Sequence, residues 1–98
     1  MPKEQTLKQV LTQAHESEKK FKWIHSANLY KKAHARAQKR GASLEAGELQ
    51  EKIGFCFRQA AFQAGNTEQF RERIQLAIRA YREARKTYEN LQHKQKHQ

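Results

Sequence analysis

The sequence predicts an all-α fold, an antiparallel bundle of three to four helices. Three observations point there. The 98 residues include one proline, at position 2, and four glycines, so little interrupts a helix. Alternating runs of β-branched residues, which would mark strands, are absent. Apolar residues instead recur three and four apart over long stretches.

The first helix is expected over about 4–18, where Leu7, Val10, Leu11 and Ala14 repeat at helical spacing. The second, about 20–40, carries Trp23, Ala27, Tyr30, Ala33 and Ala37 on one stripe. Phe21, Ile24 and Leu29 lie off that stripe, so this helix is expected to bury two faces. No turn residue separates the first two helices. The apolar phase shifts between Ala14 and Phe21, which favours a break over one continuous rod; Ser17 could cap it.

Lys39-Arg40-Gly41, followed by Ser43, reads as one helix stopping and another starting. The third helix, about 44–64, has Leu49, Ile53, Cys56, Phe57, Ala60 and Ala64 on its stripe. Gly47 and Gly54 fall inside it, where a missing side chain is best used for close helix–helix approach. At Ala64-Gly65-Asn66-Thr67-Glu68-Gln69, Gly65 suits the left-handed closing position, Asn66 a cap, and Gln69 the return arm of a capping box. The fourth helix, about 67–92, places Phe70, Ile74, Ala77, Ile78, Tyr81, Ala84, Tyr88 and Leu91 inward. Arg71, Gln75, Arg79, Arg82, Lys86 and Glu89 form its wet face. Residues 1–92 thus read as a single helical domain and 93–98 as a polar tail. Short connections make neighbouring helices antiparallel. Trp23, Tyr30, Phe57 and Tyr81 have the best inward phase and should carry most of the burial, because the remaining core positions are largely alanine.

Charge bounds the function. Twenty Lys and Arg oppose ten acids, all glutamate, for a net charge of +10. Such a balance suits an anionic partner or keeps the chain in solution. No apolar run is long enough for a membrane span, and the fold itself is expected to consume the apolar stripes, leaving none for stable membrane insertion. The single cysteine, Cys56, excludes a disulfide framework and fits a reducing, cytoplasmic location.

The cations are unevenly placed. Between Lys19 and Arg40 there is no acid; Lys32, Arg36 and Lys39 share a helical face with Arg40 beside them. Arg79, Arg82 and Lys86 form a second row on the fourth helix. The third helix carries Glu45, Glu48 and Glu51 instead, which gives the fold an electrostatic dipole. The two rows are the expected partner-binding residues, for a protein with an acidic surface or, less favoured, for phosphate backbones of RNA or DNA. No nucleic-acid fold signature accompanies them, and the aromatics phase with the core rather than with the cations.

Catalysis is not expected. Without aspartate, and with only Ser17, Ser26 and Ser43, a Ser–His–Asp arrangement cannot be assembled. Cys56 lies on an apolar stripe, where a buried inert thiol is the default; a Cys–His couple would need His25 or His34 turned towards it. His93 and His97 are four apart but sit in a lysine-containing tail, so no metal site and no cofactor are expected.

The string Trp23-x-x-Ser26-Ala27-x-x-Tyr30-x-x-Ala33 resembles the first helix of a tetratricopeptide repeat. Ile74-x-x-Ala77-Ile78-x-x-Tyr81-x-x-Ala84 repeats it in weaker form, and the stretch from Gly54 to Ala61 between them resembles the second helix of the hairpin. Ser26 to Ala33 and Phe57 to Ala61 are similar to segments of soluble NSF attachment proteins, which use a long-helix variant of that fold. The separation of 51 residues from Trp23 to Ile74 departs from the roughly 34 of an ordinary repeat and suits the longer variant. The resemblance, covering about residues 20–90, implies tetratricopeptide-like hairpins and a protein–protein interaction module, an adaptor or scaffold. It transfers no site residue, since such repeats share packing positions only. One full hairpin and half of another bury their faces incompletely, so the chain is expected to be capped by its first helix, to form a homo-oligomer, or to be a piece of something larger.

Overall fold

A computed structural model describes residues 5–96, with side chains as far as Lys94. It consists of α1 (Leu7–Lys19), α2 (Trp23–Lys39), α3 (Ser43–Phe62) and α4 (Thr67–Lys96), and no strand occurs among the described residues. Connections of a few residues turn each helix back antiparallel to the one before.

Each break has a backbone cause. Gly41 adopts φ +72°, and the bonds Gly41 N–H to Gln38 C=O and Ala42 N–H to Ala37 C=O, both 3.0 Å, close α2 in a Schellman motif. The α1 end repeats the same two bonds, Phe21 N–H to Glu18 C=O and Lys22 N–H to Ser17 C=O, both 2.9 Å. Here the left-handed position, φ +60°, is held by phenylalanine. A non-glycine residue in that region stores on the order of 1–2 kcal/mol. The break expected from the phase shift therefore exists, and Ser17 lies inside α1, buried, instead of capping a loop.

The caps differ in detail from expectation. Thr6 caps α1 through a complete capping box with Gln9. Ser43 is the first residue of α3 and no side chain caps it. Asn66 Oδ1 does accept from Gln69 N–H at 2.8 Å, but the Gln69 amide oxygen accepts from Gly65 N–H at 3.0 Å, one residue earlier than the standard box. Gly65 is not left-handed; Gly41 is the one glycine at positive φ among the described residues. Beyond residue 92 the chain is not a tail as far as Lys96, because α4 continues to that point. His97 and Gln98 lie outside the described residues.

Packing follows chain order: α1 on α2, α2 on α3, α3 on α4. The result is an open layer of helices measuring 49 × 37 × 21 Å, its long dimension set by the roughly 45 Å of α4. Val10, Ala14, Ala27, Tyr30, Ala33, Ala37 and Cys56 are fully buried at its centre, with Phe57 nearly so. Alanine at so many facing positions brings backbones close but removes little apolar surface from water per residue.

Of the four aromatics expected inside, Tyr30 and Phe57 are buried, Trp23 is half-buried and Tyr81 is 39% exposed. The glycines of α3 explain the last. A Cβ on Gly54 would stand 3.0 Å from three atoms of the Tyr81 ring, and one on Gly47 would stand 2.9 Å from the ring of Tyr88. Close approach is what these glycines serve, and rings of α4 occupy the space. Each ring lies across the α3 backbone with its other side towards solvent or the helix edge.

Candidate functional site

The six cations expected to contact a partner lie in two places. Lys32, Arg36 and Lys39 border a groove of about 390 Å³ that also takes in Thr6, Leu7 and Arg40, so α1's N-terminal turn forms its opposite wall. Lys32 and Lys39 are exposed and Arg36 is half-buried. Among the described residues these three side chains make no hydrogen bond or ion pair. The groove joins the N-terminus of α1 to the C-terminal turn of α2, whose opposed dipoles offset each other, so its positive potential comes from the side chains.

Arg79, Arg82 and Lys86 border a second, shallow hollow of about 480 Å³ on the outward side of α4, together with Gln75, Ile78 and Glu83. All three are exposed. Lys86 stands 3.8 Å from Glu83, a solvated pair of little energetic weight. The two rows belong to different helices and border different hollows, although α2 and α4 come within electrostatic reach of each other at His34 and Glu83.

Titratable groups do gather at one point that the sequence reading did not single out. The Glu18 carboxylate, its side chain 16% exposed, accepts from the Tyr30 hydroxyl at 2.9 Å and from Lys52 Nζ at 3.1 Å. The Cys56 thiol lies 3.7 Å from the same carboxylate and 3.7 Å from Ser26 Oγ, and Ser26 in turn donates to the Ala14 carbonyl at 2.9 Å. Three helices supply these groups: α1 gives Glu18, α2 gives Ser26 and Tyr30, α3 gives Lys52 and Cys56. Lys52 Nζ also sits 5.5 Å above the Tyr30 ring. Burial, reinforced by the hydrogen bond to Glu18, pushes the Tyr30 hydroxyl far above its usual range. Burial likewise pushes the Cys56 thiol up to about 11, a tendency that Glu18 strengthens and that Ser26 and Lys52 oppose. The thiol is thus neutral and fully enclosed, and its neighbours are Glu18 and Ser26 rather than His25 or His34. What the cluster does physically is lock α1, α2 and α3 in register. Its only sequence signal is a glutamate in the last turn of α1, one of two there, with serine and tyrosine four apart on one stripe of the next helix.

His34 stands apart, on α2. Its Nε2 is buried without a hydrogen-bond partner, and burial lowers its pKa, partly offset by Glu83 on α4. Across the fold, burial first and a hydrogen bond to Glu51 second push the Tyr88 hydroxyl up to about 12. Among the described residues no three of His, Cys, Asp or Glu converge as metal ligands. His97 of the His93/His97 pair lies outside the described residues.

The expectation that folding would consume the apolar stripes is wrong. Phe21 is 66% exposed and Phe62 63%, and Ile24, Leu44, Phe70, Ile78 and Tyr81 are also open to solvent. For the α4 residues the physical reason is the open layer: α4 packs on α3, and among its described residues Ala77 and Ala84 are the buried ones. No helix among the described residues is long and apolar enough to cross a membrane. No protein family, curated protein or solved structure matches the chain.

Proposed function

We propose that the chain is a non-enzymatic helical module for protein–protein interaction, an adaptor or scaffold working in the cytoplasm, that engages an acidic surface through its cationic rows. The observation that carries this reading is the placement of the six cations: each row borders a concavity, and five of the six residues are exposed, with Arg36 half-buried. Exposed arginine and lysine steer an acidic partner and set its register more than they add affinity. The tetratricopeptide-like spacing around Trp23 and Tyr30 supports the same function class, because hairpins of that kind present surfaces rather than pockets. The chemistry inside the bundle agrees, since the Cys56 thiol is neutral and shielded from any substrate.

The test is affinity capture on the intact chain, treated with nuclease and read by mass spectrometry, beside direct titration with RNA and DNA at two salt concentrations. Recovery of a discrete acidic protein after nuclease supports the module. Loss of all partners with nuclease, together with nucleic-acid affinity that falls steeply as salt rises, replaces it with phosphate-backbone binding through the same rows.

A further inference from the structure

We propose that the outer strip of α4 is a docking seam for an amphipathic helix with acidic flanks. The inference rests on the protein-binding reading above and names the chemistry and shape of the partner.

Phe70, Ile74, Ile78 and Tyr81 follow one another at i, i+4, i+8 and i+11, so they form one continuous strip along α4. Phe70, Ile78 and Tyr81 are 41%, 45% and 39% exposed, and Ile74 among them is half-buried. Phe62, at the end of α3, extends the strip sideways, its ring 6.3 Å from that of Phe70. Two turns or more of uncovered apolar side chains in a row are what a helix-in-groove contact reads, whereas scattered exposed residues are ordinary. At its Tyr81 end the strip meets α3, because the Tyr81 ring packs against Gly54.

The rim gives the sign of the partner. Arg71 lies three and seven residues before Ile74 and Ile78, and Arg82 lies four after Ile78, so both border the strip on the same helix. Arg58 holds its guanidinium 5.8 Å from the Phe62 ring, on the α3 side. Among the described residues no ion pair joins these three arginines, and the carboxylates Glu51 and Glu89 lie at the Tyr81 end of the strip beside Arg85. An apolar strip edged by unpaired arginines matches a helix that carries leucine-like residues on one face and glutamate or aspartate beside it.

A second copy of the chain fits poorly. A two-fold contact centred on Ile78 would set two α4 helices antiparallel and bring Arg71 of one opposite Arg85 of the other, twice. Arg85 is offset only by an exposed pair with Glu89 at 3.7 Å, so the juxtaposed like charges still disfavour pairing.

The test uses the intact chain and three labelled 18-residue probes: an amphipathic helix with leucines at i, i+4, i+8 and i+11 and glutamates at its flanks, the same peptide with lysine flanks, and plain polyglutamate. The protein variants are Phe70→Ser/Ile78→Ser for the seam and Arg71→Glu/Arg82→Glu for the rim. All four positions are exposed, and circular dichroism checks that the variants remain helical. The expected result is saturable binding of the glutamate-flanked helix, weakened about tenfold or more by the seam variant, with the rim variant switching preference to the lysine-flanked helix. Polyglutamate binding as well as the amphipathic helix, or affinity unchanged in the seam variant, overturns the seam while leaving the cationic rows as an interaction surface. Failure of every probe overturns both readings. A chain that sediments as a dimer, and becomes monomeric on Phe70→Ser/Ile78→Ser, overturns the proposal by making a second copy the occupant.

Discussion

The Tyr30 hydroxyl donates a 2.9 Å hydrogen bond to the Glu18 carboxylate, joining the C-terminal turn of α1 to the middle of α2. Tyr30 is wholly buried and cannot exchange this partner for water. Replacing Glu18 with alanine leaves the hydroxyl without an acceptor, and the expected loss of stability is about 2 kcal/mol. Tyr30→Phe, which removes the donor as well, is expected to be milder, at about 1 kcal/mol. Denaturant unfolding of both single variants and the double variant measures the coupling. Strict additivity of the two changes would show that the bond contributes nothing to the fold.

Cys56, beside that pair, is expected to resist chemistry. Its thiol is fully buried and pushed up to about 11, so little thiolate exists at pH 8. A chromogenic disulfide reagent at pH 8 should label it only after denaturant is added, at the rate of unfolding. Rapid stoichiometric labelling of the folded chain would contradict the enclosed position.

The Gly54–Tyr81 contact predicts a change of sign. In the natural chain, Gly54→Ala pushes a methyl to within 3.0 Å of the Tyr81 ring. The overpacking, roughly 1–3 kcal/mol, outweighs the roughly 1 kcal/mol that alanine gains over glycine inside a helix. With Tyr81→Ala already in place the obstacle is gone, and Gly54→Ala should then stabilise α3. Thermal unfolding of the four proteins of this cycle checks it; stabilisation by Gly54→Ala in both backgrounds would mean that the ring does not rest on the glycine.

His34 predicts the acid limb of stability. Burial depresses its folded-state pKa below 6.5, with Glu83 pulling the other way. The unfolded chain therefore binds the proton first as pH falls, so the stability contributed by neutral His34 is complete above about pH 6.5 and drains away as pH drops through the lower, folded value. His34→Gln should flatten unfolding free energy against pH between 7 and 5, by up to one proton's worth of slope, about 1.4 kcal/mol per pH unit. Identical slopes in the two proteins would show that the ring takes up its proton as readily folded as unfolded.

These relationships were unevenly legible. The all-α class, the α2–α3 break at Gly41 and the α4 start near Asn66 follow from local chemistry, because glycine and asparagine relieve strain that other residues cannot. The α1–α2 break was visible only as a phase shift, since Phe21 fills a left-handed position usually marked by glycine. Gly47 and Gly54 announced close approach, but not that tyrosine rings would be the visitors, because which α4 residue meets them depends on tertiary register. The cationic rows were legible as rows, since helical spacing alone places them. Their division between two hollows, and the uncovered strip beside Ile78, were not. Periodicity marks a face as apolar without saying whether a neighbour exists to cover it, and here the layer ends at α4.

The most direct measurement is titration of a fluorescent glutamate-rich peptide into the natural chain, Lys32→Glu/Lys39→Glu and Arg79→Glu/Arg82→Glu, at about 50 and 200 mM salt. The account predicts saturable binding that weakens with salt and loses about tenfold in affinity, near 1.4 kcal/mol, in a charge-reversed row. Equal affinity in all three proteins would place recognition elsewhere and contradict the role given to the cations.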